Sequence, residues 1–107
     1  MQSAIDDKIR FNALFDLYGE LLTDKQKIYF ARYYQDDYSL AEIADLVGVS
    51  RNAVFDQIQK TVEHLNHYEA TLRLLEKQAE RVKRYGELRK SASPEQQIML
   101  DELERLE

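Results

Sequence analysis

At 107 residues the chain can bury one core, and 44% hydrophobic with 33% charged residues is the balance of a helix-rich globular protein. It contains no cysteine, which excludes disulfides, thiolate metal sites and cysteine nucleophiles. The formal net charge of −5 runs against the cationic surface that phosphate backbones select. No apolar run approaches the ~20 residues of a membrane span, and the N-terminus lacks the basic and apolar regions of a signal peptide. A cytoplasmic protein without membrane insertion is expected.

Three glycines and one proline leave room for long helices. Ser3 is placed to cap a first helix of about twenty residues, on which Ile5, Ile9, Leu14, Leu17, Tyr18 and Leu21 recur at helical spacing and Phe11 and Phe15 widen the apolar stripe. Thr23 opens a second helix, with Gln26 at the capping-box position and Asp24 at the positive end of the helix dipole. Ile28, Tyr29, Ala31 and Tyr34 lie further along it, and Gln35 to Tyr38 reads as a loop.

Residues 39–64 carry the pattern of a helix-turn-helix. Ser39 and Glu42 form a capping box at the start of a short helix. Ile43, Ala44 and Val47 give that helix its apolar face, with Ala44 small enough for a second helix to approach. Gly48 supplies the turn, where a residue without a Cβ reaches positive φ cheaply. Val49 is expected to plug the gap between the helices, and Ser50 caps the second one, whose Val54 and Ile58 point to the core.

From Arg51 to Lys90 there is no proline and Gly86 is the single glycine, which predicts one helix of ~40 residues and ~60 Å. Ile58, Leu65, Leu72 and Ala79 are spaced by sevens, as are Tyr68, Leu75 and Val82. Such a seam packs against other helices of the chain or against a second copy, so a homodimer is expected. Ser93 to Gln96, with Pro94 in the first turn, opens a last amphipathic helix bearing Ile98, Met99, Leu100, Leu103 and Leu106. Its acidic outer face suits an antiparallel return along the basic stretch 71–90, which holds seven basic and three acidic residues. The fold expected is all-α: a helix-turn-helix domain over 1–66, with the motif at 39–64, and a helical arm with a C-terminal amphipathic helix over 67–107. No repeat and no strand signal accompanies it.

Two surfaces are candidates for an anionic ligand. At the start of the second motif helix, Ser50, Arg51, Asn52, Phe55, Asp56 and Gln59 face solvent. Arg, Asn and Gln have the forked side chains that read guanine and adenine edges, and Phe55 suits a thymine methyl. Lys60 with Arg51, and further off Lys25, Lys27 and Arg32, would hold phosphates, while Asp56 opposes them. The competing reading makes this motif a scaffold with a merely solvated face. The second surface is a patch of Arg73, Lys77, Arg81, Lys83 and Arg84, of which Arg73, Lys77, Arg81 and Arg84 fall on one helical stripe. It tracks a nucleic-acid backbone or an acidic partner, or is a solvated face laced with Glu76, Glu80 and Glu87. Tyr29, Tyr33, Tyr34 and Tyr38 read as core or interface residues rather than a stacking platform. His64 and His67 lack a third ligand, Asp36 and Asp37 read as turn residues, and no phosphate loop or activated nucleophile is present, so neither an enzyme nor a cofactor is expected.

Several strings carry a family resemblance: Arg10 to Tyr18, then Leu21-Leu22-Thr23-Asp24-Lys25-Gln26, then Tyr33-Tyr34 through Asp37-Tyr38-Ser39-Leu40, and Val49 to Val54. In these the chain resembles the YlxM-type family of small bacterial helix-turn-helix proteins over about residues 5–80, and the motif is similar to region 4 of sigma factors. The stretch 51–60 is poorer in basic residues than that region's recognition helix. Proteins of this kind are typically encoded beside the signal recognition particle GTPase and its receptor. The resemblance therefore implies a regulatory or accessory part in that targeting pathway, with DNA, the particle's RNA or its GTPase as partner. The other expectation is a dimeric DNA-binding transcriptional regulator unrelated to targeting.

Overall fold

A computed structural model describes residues 2–107, with the side chains of Gln2 and Ser3 left aside, so the cap expected of Ser3 lies outside the described residues. Every regular element among the described residues is helical. In order they are α1 (Gln2–Tyr18), a 3-10 turn (Gly19–Leu21), α2 (Asp24–Phe30), a π-helical turn (Ala31–Gln35), α3 (Leu40–Val47), α4 (Arg51–Leu72), α5 (Leu74–Arg89) and α6 (Pro94–Arg105). The protein is therefore all-α, a helix-turn-helix with a helical extension after it. The chain divides into two compact units, one ending at Leu75 and the other spanning Glu76–Glu107.

In the first unit α4 packs against α1, α2 and α3. Its buried residues Val54, Ile58, Thr61 and Leu65 recur at four, three and four, one stripe of a 3.6-residue helix. Val54 and Ile58 join Tyr29, Ile43 and Ala44 in one cluster, and Leu65 joins Leu14, Tyr18, Leu22 and Phe30 in another. Thr61, fully buried between them, donates its hydroxyl back to the Gln57 carbonyl at 2.8 Å, which satisfies it inside its own helix. Phe30 stacks on Phe15 with centroids 4.5 Å apart and meets Tyr34 at 4.8 Å, and Phe11 meets Tyr34 edge-on at 5.5 Å. Tyr29 is buried, and Tyr33, Tyr34 and Tyr38 are partly so, packed on these two clusters.

Ile5, Ile9 and Leu21, expected on the first helix's apolar face, are exposed instead. The stripe that packs is Leu14 and Tyr18, flanked by Phe11, Phe15 and Leu17. The second helix also departs from expectation. After Phe30 it widens into a π turn, with the Asp36 N–H donating to the Ala31 carbonyl at 3.0 Å. Two side chains of α1 hold this segment: Asn12 donates its amide to the Tyr34 carbonyl at 3.1 Å, and Lys8 pairs with Asp37. Asp37 takes φ 60°, a left-handed conformation that Asp tolerates better than most residues.

The predicted continuous helix is broken. Arg73 sits at φ 54°, and α4 ends at Leu72 although no glycine or proline stands there. Side chains far from the break account for it. Tyr18 donates its hydroxyl to Glu69 Oε1 at 2.7 Å and accepts the Leu74 N–H at 3.0 Å, while the same Glu69 oxygen accepts the Leu75 N–H at 3.0 Å. The first free amides of α5 thus find acceptors that a straight helix would not need. Burial and then the Glu69 carboxylate raise the Tyr18 pKa, so the hydroxyl keeps its proton. The sevenfold seam divides at this point: Ile58 and Leu65 are core residues, Tyr68 and Leu75 pack on the core, and Leu72 and Val82 are exposed.

In the second unit α6 runs back antiparallel along α5. The expected helix start at Ser93 is made by a capping box with Gln96, at 3.2 and 2.9 Å, with Pro94 at the first helical position. Arg89 donates to Gln97 at 3.0 Å, to Asp101 at 2.8 Å and to Glu104 at 3.0 Å. The carboxylate of Glu104, and next that of Asp101, raise the pKa of Arg89. Tyr85 donates to Glu107 at 3.1 Å, and Arg81 pairs with the same carboxylate.

The left-handed residues and the buried Tyr18 hydroxyl can each be tested by thermal unfolding. A Cβ at Gly48 (φ 73°) meets no atom within 4 Å, so Gly48→Ala costs the backbone term alone, about 1 kcal/mol, and lowers the midpoint. Arg73→Gly, which relieves the same strain, raises it. Tyr18→Phe strips both the Glu69 and Leu74 bonds and costs about 1–3 kcal/mol, read as a lower midpoint with helix content retained at low temperature.

Candidate nucleic-acid interface

The motif is built by local chemistry. Ser39 accepts the Glu42 N–H at 3.0 Å and the Glu42 carboxylate accepts the Ser39 N–H at 3.1 Å, which starts α3. Gly48 ends it in the left-handed region, its N–H donating to the Ala44 carbonyl at 2.9 Å. Ser50 accepts the Ala53 N–H at 3.1 Å and starts α4. Val49 stands just before that cap and Val54 at the fourth helical position, the spacing of a hydrophobic staple.

Ile43, Ala44, Val54 and Ile58 are buried as expected, but Val47 and Val49 are each 38% exposed. Val49 is therefore covered only in part, short of the full plug expected in the gap between the helices. With exposed Leu46 and Phe55 these residues give the motif an apolar surface, of which the sequence pattern assigns Val47 and Val49 to the interior and Phe55 to solvent. The one signal for it in the sequence is the adjacent pair Leu46 and Val47, which cannot both face the core of a single short helix.

Ser50, Arg51, Asn52, Phe55, Gln59 and Lys60 are all exposed. Helical geometry puts Asn52, Asp56 and Gln59 opposite the buried stripe of α4, with Arg51 and Phe55 flanking on one side and Lys60 on the other. The open face thus carries these residues together with the opposing carboxylate of Asp56. Among the described residues Arg51 and Lys60 are drawn into no ion pair, so their charges face solvent. The more distant cations are engaged: Lys27 with Glu20 at 4.0 Å, Arg32 with Asp36 at 3.2 Å and over the Tyr38 ring, and Lys25 over the Tyr29 ring.

The second patch is not the single stripe that spacing predicts. Arg73 leaves it, because the chain turns there instead of continuing as helix. Lys77, Arg81, Lys83 and Arg84 lie on α5. Arg81 is paired with Glu107 and Arg84 with Glu80 at 2.9 Å, so two of the four cations are already offset by carboxylates of the same unit. His64 and His67 are exposed beside Tyr68. No helix among the described residues is long and apolar enough to cross a membrane.

Two capped helices joined through a left-handed glycine, with the second helix's polar face open to solvent, define a helix-turn-helix protein. Comparison with known proteins places it further. The family model "Putative helix-turn-helix protein, YlxM / p13 like" matches residues 5–104, and the chain belongs to that family, UPF0122. It is 43% identical to the UPF0122 protein YlxM of Bacillus subtilis, over 97% of this chain and 99% of that protein. A UPF0122 protein of Shouchella clausii is 45% identical over 96% of this chain and 99% of its own length. One of Listeria welshimeri reaches 53% over 74% of this chain and 72% of its own.

The cap at Ser50 orients the whole face. Ser50→Ala is expected to cost about 1 kcal/mol and to fray the turn carrying Arg51 and Asn52, visible as faster amide exchange at Asn52 and Ala53 than in the parent.

Proposed function

We propose that the protein is a non-catalytic, nucleic-acid-binding regulator or accessory of the signal recognition particle pathway, working in the cytoplasm as a homodimer. Its contact with nucleic acid is the exposed face of α4. The observation that carries this is the grouping on one exposed face: Arg51 and Lys60, drawn into no ion pair among the described residues, stand with Asn52 and Gln59, whereas the second patch keeps Lys77 and Lys83 open and has Arg81 held by Glu107. Arg51 and Asn52 lie in the first turn of α4, where the helix dipole also favours an anion. Membership of a helix-turn-helix family supports the nucleic-acid activity, and the pathway is what the resemblance to YlxM-type proteins implies. A sigma-region-4-like use of the motif fits the same face.

The second reading is a dimeric transcriptional regulator unrelated to targeting. The grouping of Arg51, Asn52 and Gln59 favours it, because these are the side chains that read base edges in a major groove.

A binding assay titrated with salt tests both, using random duplex DNA, the particle's RNA and the particle's GTPase as parallel ligands. Preference for the RNA is expected; preference for the GTPase would keep the pathway and remove the nucleic-acid activity. Salt-sensitive duplex binding without that preference transfers the function to the second reading. Arg51→Ala with Asn52→Ala is expected to weaken nucleic-acid binding by about 10-fold or more. Reversing charge at Lys77 and Lys83 changes it by less. The reverse order of the two effects would move the contact to α5. With so few cations the salt dependence should be shallow, a slope equivalent to only about two or three phosphates.

A further inference from the structure

Residues 76–107 form two helices that leave most of their apolar side chains uncovered. Leu100 is the buried large apolar residue of this unit, while Leu88 is 57% exposed, Met99 63% and Leu106 83%. Two helices of this length have no third layer to close over such residues, and bundles of this kind reach native packing with more helices. Leu88, Met99 and Leu103 are gathered in one place, whereas Val82, Ile98 and Leu106 are exposed outside it. A groove of about 460 Å³ runs between the helices, with Leu88 and Ala92 on one wall and Met99, Leu100 and Leu103 on the other.

The rims of this groove are charged with opposite sign. Lys77, Arg81, Arg84 and Leu88 are spaced by four, three and four, so they form one row along α5. Glu95, Met99, Glu102 and Leu106 have the same spacing and form one row along α6. Leu88 ends the first row and Met99 alternates in the second, both lining the groove, and Leu106 lies beyond it; the first row is otherwise basic and the second otherwise acidic. A two-fold axis along the hairpin lays the basic row of one copy on the acidic row of another, and does so twice. The levels match as well. Arg89 bonds Gln97 and Asp101, and Arg81 pairs with Glu107, so Leu88 stands level with Met99 and Arg84 with Glu102 to Glu104.

We propose that this face docks a second copy of the chain, giving a four-helix bundle with Leu88, Met99, Leu103 and Leu106 inside it and Arg84 of each copy facing Glu102 of the other. This deepens the homodimer of the reading above by giving it a surface different from the sevenfold seam, whose Leu65 and Leu75 are taken up by the chain's own core. The Arg84–Glu80 pair does not oppose the exchange, because an exposed pair within one helix contributes little.

The test is sedimentation equilibrium of the full chain across a wide concentration range, with circular dichroism on every variant. A dimer is expected. Met99→Glu places a carboxylate in the bundle and should raise the dissociation constant about 100-fold or more, with helix content unchanged. Arg84→Glu should weaken the dimer about 10-fold, and Arg84→Glu with Glu102→Arg should restore it, which a mere loss of folding would not do. A monomer up to millimolar concentration overturns the proposal. So does a dimer indifferent to Met99→Glu, or one in which the double charge exchange is no better than Arg84→Glu alone. A chain that dimerises in this way yet binds no nucleic acid supports this inference and removes the activity proposed above.

Discussion

Everything in the first unit hangs on one row of side chains, Val54, Ile58, Thr61 and Leu65. Its upper half closes the helix-turn-helix with Ile43 and Ala44, and its lower half closes the helical pair formed by α1 and α2. One helix serves both clusters, so the orientation of the motif is tied to the core and not to a loop. The same row decides which residues can meet a ligand. With the buried stripe on one side of α4, Asn52 and Gln59 are left pointing away from the protein on a rigid support, the arrangement a recognition surface requires.

The chain alone makes legible whatever is settled within a few residues. The caps at Thr23, Ser39, Ser50 and Ser93, and the left-handed turn at Gly48, each depend on partners no more than four positions away, and all are present. The break at Arg73 is out of reach for the opposite reason. Leu72 and Leu74 are good helix formers, and the residue that satisfies the new helix start, Tyr18, lies 56 positions upstream of Leu74. A tertiary hydroxyl does there what glycine does at Gly48. Burial is hard to read for a related cause. Ile9 and Val49 have the right periodicity, but which part of an apolar stripe is covered depends on where the neighbouring helices end.

The candidate site is legible as a set of positions and not as a balance of charges. Spacing alone puts Arg51, Asn52 and Gln59 on the outer side of a helix, and on α4 all three are exposed. Spacing offers Glu80 as a partner of Arg84 four residues away, and that pair is present, but it leaves Arg81 among the available cations, whereas Glu107 answers it. Glu107 reaches Arg81 through the antiparallel return that the charge pattern suggests, yet which carboxylate meets which cation is set by packing and not by local sequence. Net charge along a sequence is therefore a poor guide to which cations a phosphate would find, and a chain of net −5 can still present a small uncompensated cationic edge.

The π turn over Ala31–Gln35 has a consequence for how this family can change length. A π turn holds one residue more than the α-helix it interrupts. Removing one residue between Phe30 and Asp36 would turn the bond across it into an ordinary α-helical one and leave the flanking chain in place, with Asp37 still opposite Lys8 and Ser39 still at the start of α3. A deletion in the regular helix α4 has no such reserve: it would rotate half of the row Val54, Ile58, Thr61 and Leu65 by about 100° out of the core.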